Sequence, residues 1–146
     1  MRRLPRDERG STLPLTIFYG FLALVLVLLA VAATSLYLER KRLFTVADGA
    51  ALVGAEAYDL ADLAPSDDGH PCPRLEAADV RTAVTGYLGS APVNGFESLT
   101  VERATTVDGR SATVELSAYW RPPVVSLLVP EGLRIEVTAV ARSVFD

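Results

Sequence analysis

Histidine and cysteine are almost missing from this chain: His70 and Cys72 are the only ones among 146 residues. A single cysteine excludes an internal disulfide framework and leaves Cys72 either free or paired between chains. With a single histidine, any Ser/His/Asp triad has to run through His70. That residue lies in a proline-rich stretch with no helix or strand to hold it. A structural zinc site takes four nitrogen, sulfur or carboxylate donors, and His70 and Cys72 with Asp67 or Asp68 fall short of a convincing set. A phosphate loop is missing too, because Gly86 and Gly89 have neither a following Lys-Ser/Thr nor a strand–turn–helix setting. The acidic pairs Asp67-Asp68 and Asp59/Asp62 read as solvated loop and helix-end charges. The expectation is a protein without catalytic residues, cofactor or metal.

Charge is missing from one long stretch. The 28 residues from Ser11 to Leu38 carry none. As a helix this run is roughly 42 Å long, against about 30 Å for the hydrocarbon core of a bilayer. Basic residues gather at its two ends, with Arg2, Arg3, Arg6 and Arg9 before it and Arg40, Lys41 and Arg42 after it. Four against three is a weak positive-inside preference for an N-terminus in the cytoplasm. A cleaved signal peptide is the rival reading, with Ala30-Val31-Ala32 as its small-x-small site. The apolar run, however, exceeds the roughly 7–15 residues of a signal core, and the helical pattern continues without a breaker to Leu43. A retained single-pass anchor is expected. Past residue 42 the chain carries 15 acidic and 7 basic side chains, a formal charge of −8. Such a domain repels nucleic acid and anionic headgroups, so no nucleic-acid role is expected.

The expected organisation is a basic cytoplasmic N-terminus over 1–12, a transmembrane helix over 13–38 and an extracytoplasmic domain over 39–146. One helix is expected from Leu13 to about Ala61, apolar all round in its first half, as lipid-facing helices are. Past the basic collar, Ala47, Ala50, Ala51, Gly54 and Ala55 crowd a short stretch, and Ala47, Ala51 and Ala55 have the small-xxx-small spacing that lets another backbone approach closely. That face can pack on the protein's own sheet or form a seam for a partner helix. Three prolines, a glycine and acidic residues make 62–73 a loop. A second helix is expected from about Leu75 to Leu88, with Ala77, Val80, Val84, Tyr87 and Leu88 as its stripe and Gly89 as its stop. The remainder alternates as strands do. Leu99 and Val101 point one way, and Asp108-Gly109 marks a two-residue hairpin. Ala112, Val114, Leu116, Ala118 and Trp120 form one face of the next strand, which ends at Arg121-Pro122-Pro123. Ile135, Val137, Ala139 and Ala141 form one face of the last. Trp120 reads as a core or edge aromatic, Arg121 as part of a turn, and the conformation of 124–130 stays open. The fold class is α+β and pilin-like: a long N-terminal helix, a short second helix, and an antiparallel sheet of three or four strands covered on one side.

The residues also carry a family resemblance. It lies in Arg9-Gly10-Ser11, the apolar run, and the segment Tyr37-Leu38-Glu39-Arg40-Lys41-Arg42-Leu43-Phe44-Thr45-Val46-Ala47-Asp48-Gly49-Ala50-Ala51-Leu52-Val53-Gly54-Ala55. Here the chain resembles the Tad (tight adherence) pilus-assembly proteins of the TadE/TadG-like group, particularly the short actinobacterial kind. The likeness covers about residues 6–58. It implies a minor, pseudopilin-like accessory component of a type IV-like pilus or secretion apparatus, with a cytoplasmic N-terminus and a domain outside the cell membrane. It also puts Gly10 and Ser11 where a prepilin peptidase would cut related pseudopilins. Leu15 departs from the pattern, since pilins commonly carry a glutamate at that position. TadG-like members stay uncleaved, and an uncut chain is the expectation.

These readings converge on a non-enzymatic membrane subunit that works by contacts with other pilus-assembly proteins, alone or as a homo- or hetero-oligomer. The alternative is an anchored binding module for a cell-envelope ligand, using the polar loop around His70, because function often sits in such loops.

Overall fold

The computed structural model describes residues 12–58, 64, 65, 71, 72, 74–122, 126 and 129–142. Helix α1 runs over Thr12–Ala55, 44 residues, or about 66 Å. Among the described residues, its first part, up to Val31, adds nothing to the core. The most apolar window of α1 has a mean hydropathy of 2.7 and no buried residue, and α1 is the one described helix long and apolar enough to cross a membrane. Polar groups in this part satisfy themselves locally. The hydroxyls of Thr16 and Thr34 donate to the carbonyls of Thr12 and Ala30, each at 2.9 Å, as threonines in apolar helices do.

From Ala32 onward the same helix is one wall of a folded domain. Ala32 and Leu36 lie partly buried against the core, and Leu43, Ala47, Ala50, Ala51 and Ala55 are part of it. The helix ends at Ala55 rather than near Ala61. Its last turn tightens: the N–H of Glu56 is shared between the carbonyls of Leu52 and Val53, and that of Ala57 bonds Gly54. Gly54 and Ala55 are the last buried residues of the helix, and Gly54 lies against Ala112, Val80 and Val84. Past the helix end, Tyr58 still packs partly buried against the core.

The expected loop over 62–73 contains a two-residue antiparallel ladder, β1 (Ala64–Pro65) with β2 (Pro71–Cys72). Helix α2 spans Ala77–Ser90, shifted two residues along the chain from the expectation. Leu75 precedes it as a core residue whose N–H donates to the Gly109 carbonyl at 2.8 Å. Gly89 does not stop the helix, which continues through Ser90. The stop is Ala91, extended at φ −71° and ψ 150°, because Pro92 disfavours helical backbone in the residue before it. Val80 and Val84 are fully buried, Tyr87 and Leu88 partly, and Ala77 is exposed.

The main sheet has three antiparallel strands in the order β3 (Glu97–Thr106), β4 (Ser111–Trp120), β5 (Leu133–Arg142). Among the described residues it has no fourth strand. The β4–β5 ladder is regular from Ser111↔Arg142 to Trp120↔Leu133. All five apolar positions read from β4, and all four from β5, are buried. β3 is irregular, with register shifts between Glu97 and Thr100 and between Val101 and Arg103. The shifts change which residues face inward. Leu99 packs on the core, Val101 is exposed, and Ala104 is the buried residue. Val101 stays opposite the buried Leu116 but is 38% exposed, and the bulge at Glu102 moves the side chains that follow it across, so that Ala104 rather than Arg103 faces the core. The β3–β4 connection occupies four residues, 107–110, rather than two. Gly109 takes φ 68° there, a left-handed conformation suited to glycine.

Helix α1 lies along the sheet, antiparallel to β4. Ser35 meets Trp120 at one end and Gly54 meets Ala112 at the other. The spans agree: from Ser35 to Gly54 is about 28 Å of helix, and from Ala112 to Trp120 is about 26 Å of strand.

Candidate interaction surfaces

Two faces of α1 have different fates. On one, Ala47, Ala50, Ala51 and Ala55 are at most 2% exposed. Gly54 lies so close to its neighbours that a Cβ there would stand 3.2 Å from both the Ala112 methyl and a Val80 methyl. Gly49 lies under the ring of Tyr87, and a Cβ on it would overlap the phenol hydroxyl. The small residues thus let the sheet and α2 approach α1. The structure places all five candidate contact residues inside this internal packing.

The other face carries large apolar side chains that are exposed. Tyr37 is 66% exposed, Phe44 47% and Leu52 52%. Their spacing of seven and eight residues puts them on one stripe of a helix, with Lys41 and Asp48 between them. The sequence signal for this stripe was present, namely large residues at helical spacing opposite the small ones.

The solvent side of the sheet holds a network of charges. Glu102, the extra residue of the second β3 bulge, accepts from the Ser117 hydroxyl at 2.6 Å and from Arg134 at 2.8 Å. Arg134 also meets Glu136 at 3.0 Å, and Arg103 meets Glu115 at 3.6 Å. The Ser117 hydroxyl, helped by Arg134, holds the Glu102 carboxyl below its ordinary value against a partial desolvation, and the two glutamates raise Arg134. Under this network Ser117 is 3% exposed although it points to the polar face. No sequence pattern signals that burial, because it depends on where the bulge falls. At the far hairpin Asp108 accepts from the N–H groups of Arg110 and Ser111 and from the Ser111 hydroxyl. These three donors bring its pKa down to about 2.

The opposite end of the sheet faces the bare part of α1. Trp120, 7% exposed, donates its indole N–H to the Ser35 hydroxyl at 3.3 Å. Arg121 pairs with Glu97 at 3.3 Å and donates to the Glu131 carbonyl at 3.3 Å. Gly132, at φ 76°, leaves room for the Arg121 side chain and the Trp120 carbonyl. A groove of 530 Å³ runs along α1 at this level, lined by Ala30, Val31, Thr34, Ser35 and Leu38, with the Glu39–Arg42 ion pair at its outer end.

Among the described residues, no three of His, Cys, Asp and Glu converge as metal ligands would. His70, Asp67 and Asp68 lie outside the described residues, as do Gly10, Ser11 and most of 124–130. Cys72 is placed in β2 by its backbone.

Comparison with known proteins agrees with the long helix. Residues 10–57 match the family described as putative Flp pilus-assembly TadE/G-like, the group that the sequence resembles. The matched segment is α1 and the few residues at its ends. No curated protein and no solved structure matches the chain.

Proposed function

We propose that this chain, a member of the Tad TadE/G-like family through residues 10–57, is a membrane-anchored, non-enzymatic accessory subunit of a Tad pilus-assembly or secretion apparatus. The observation that carries this reading is the division of labour on α1. Its small residues are used up in holding the domain together, while Tyr37, Phe44 and Leu52 are left as an exposed apolar stripe next to a membrane-length apolar segment. An unpartnered stripe of this kind suits a groove or a second helix, the helix-in-groove mode of recognition. The Tad proteins that meet it pack along the outer half of α1, in the manner of a minor pseudopilin.

The test is recovery of pilus-assembly components with the detergent-extracted protein. Phe44→Glu with Leu52→Glu should abolish recovery while the circular dichroism and thermal midpoint stay as in the parent, because both side chains are about half exposed. Equal recovery by the variant would move the contact elsewhere. Recovery of no pilus component by the parent would remove the reading.

The same reading places the N-terminus in the cytoplasm and the α+β domain outside the membrane. Cys72, the only cysteine, reports on this. A membrane-impermeant maleimide should label it in intact cells. Labelling only after permeabilisation would reverse the orientation. The chain is read as uncut at Gly10, because Leu15 stands where pilins carry glutamate. Intact mass of the extracted protein checks this, and loss of the first ten residues would overturn it.

A further inference from the structure

The bare part of α1 is as long as one hydrocarbon core. Among the described residues Thr12–Val31 contributes nothing to the core, and from Ala32 the helix packs on the domain. At about 1.5 Å per residue, Thr12–Val31 spans about 30 Å. A span set by the uncharged run alone, 13–38, is about 39 Å. It would draw into hydrocarbon not only Ser35 and Leu36 but also Trp120, which is bonded to Ser35, and the strand ends that carry Arg121 and Arg134. Charged residues at that depth are costly. With the span ended at Val31, Ser35 stands about 6 Å beyond the hydrocarbon, within a headgroup layer roughly 5–8 Å deep.

That position brings the sheet down to the membrane. Trp120 is at the depth where amphipathic indoles are enriched. Leu133, its partner across the ladder, is 43% exposed, and Val129 is 37% exposed. Residues 122–130, which join β4 to β5, contain no charged side chain. The cations of Arg40, Lys41 and Arg42 lie just outward on α1, where long basic side chains reach back to headgroups. The domain's net charge of −8 beyond residue 42 argues against adsorption through its general surface. This end, apolar and next to the basic collar, is the exception.

Resting on the reading of α1 as a membrane span, we propose that the end of the sheet formed by Trp120, Arg121, Val129 and Leu133 rests in the headgroup layer of the bilayer that α1 crosses. The domain then meets the membrane at two places, the helix and the strand ends.

Trp120 is the only tryptophan, so its fluorescence reads the depth directly. The full-length protein is reconstituted into phosphatidylcholine–phosphatidylglycerol vesicles carrying a nitroxide either near the headgroup or near the chain end. Trp120 should be quenched several-fold more strongly by the shallow nitroxide. A control variant, Phe21→Trp with Trp120→Phe, should be quenched more by the deep one. If the control behaves so while neither nitroxide quenches Trp120, the anchor stands and the seated sheet is overturned. If the control is not quenched either, the span and the proposal fall together. A second reporter is a polarity-sensitive dye on Leu133→Cys in a Cys72→Ser background. Its emission should shift to the blue on reconstitution, while the same dye on Val107→Cys, at the far hairpin, should not shift. Water-like emission from both would overturn the proposal.

Discussion

At the scale of single residues, the closest contacts are those made by what is absent from a side chain. Gly49 has no Cβ, and the Tyr87 hydroxyl occupies the space that one would take. Gly49→Ala gains about 1 kcal/mol of helix propensity and loses about 1–3 kcal/mol to overpacking. It should therefore destabilise the domain modestly, and Tyr87→Phe, which removes the offending oxygen, should restore most of the loss. A double-mutant cycle by chemical denaturation reads the coupling, and additive effects would show that the two groups do not collide. Asp108 gives a prediction in pH. Its carboxyl is lowered from an ordinary value of 3.8 to about 2 by the Arg110 and Ser111 donors. A carboxyl depressed in the folded state stabilises fully above its unfolded pKa and loses that contribution as pH falls through the folded one. Asp108→Asn should therefore lower the denaturation midpoint at neutral pH and flatten its fall between about pH 4 and pH 2. A midpoint profile that keeps the parent's slope would remove Asp108 as its source. The Asp-Gly pair was legible as a turn from the sequence. Its four-residue length was not, because that length follows from the hydrogen bonds Asp108 makes to its own strand.

At the scale of elements, α1 tests how far a stripe can be read. Leu43 is fully buried and Leu52 is 52% exposed on the same helix. Leu43→Ala should cost about 2–5 kcal/mol and Leu52→Ala within about 0.5 kcal/mol in the isolated protein. Unfolding of the two variants side by side checks the contrast, and similar losses would mean that Leu52 has a partner within its own chain. The existence of α1 was legible from its long uncharged run, α2 from a 3.6-residue stripe, and β4 and β5 from alternation along the whole strand, whereas β3 showed only the Leu99 and Val101 pair. Their ends were less so. Gly89 looked like a helix stop, but Pro92 acts first through Ala91. Ala61 looked helical, but the helix ends at Ala55 with a tightened last turn, and Ala61 itself lies outside the described residues. Alternation failed after Val101, where the bulge at Glu102 turns Ala104 to the core in place of Arg103, because a bulge is a property of the strand pair, not of one strand's sequence. The two outer strands differ for the same reason. β3 is bulged and carries Glu97, Glu102 and Arg103, the features that blunt a sheet edge, whereas β5 is regular along its whole ladder.

At the scale of the whole molecule, the anchor and the domain share a helix but not a core. Every buried residue of the core lies at or after Leu43, with Ala32 and Leu36 as partly buried outliers. A chain beginning at Ala32 should therefore fold without detergent and keep the near-ultraviolet circular dichroism of Trp120. Loss of that signal would mean that the apolar half of α1 is needed for the fold. The membrane segment was legible from the missing charges alone. The uncharged run continues past the point at which Trp120 reaches Ser35, a contact that the sequence does not show. The two faces of the outer half of α1 were half legible: the small residues stood out by their spacing, and the structure adds that they are buried while Tyr37, Phe44 and Leu52 are exposed. The continuity of α1 also has a mechanical consequence. No proline interrupts the helix from Leu15 to Ala55, and its outer half lies lengthwise and antiparallel to the central strand. A pull on the hairpin at Val107–Arg110, directed away from the membrane, would load the helix–sheet contact in shear. All its buried residues would bear the load together instead of peeling apart one by one, and tension would pass from the domain to the bilayer through a rod without a joint.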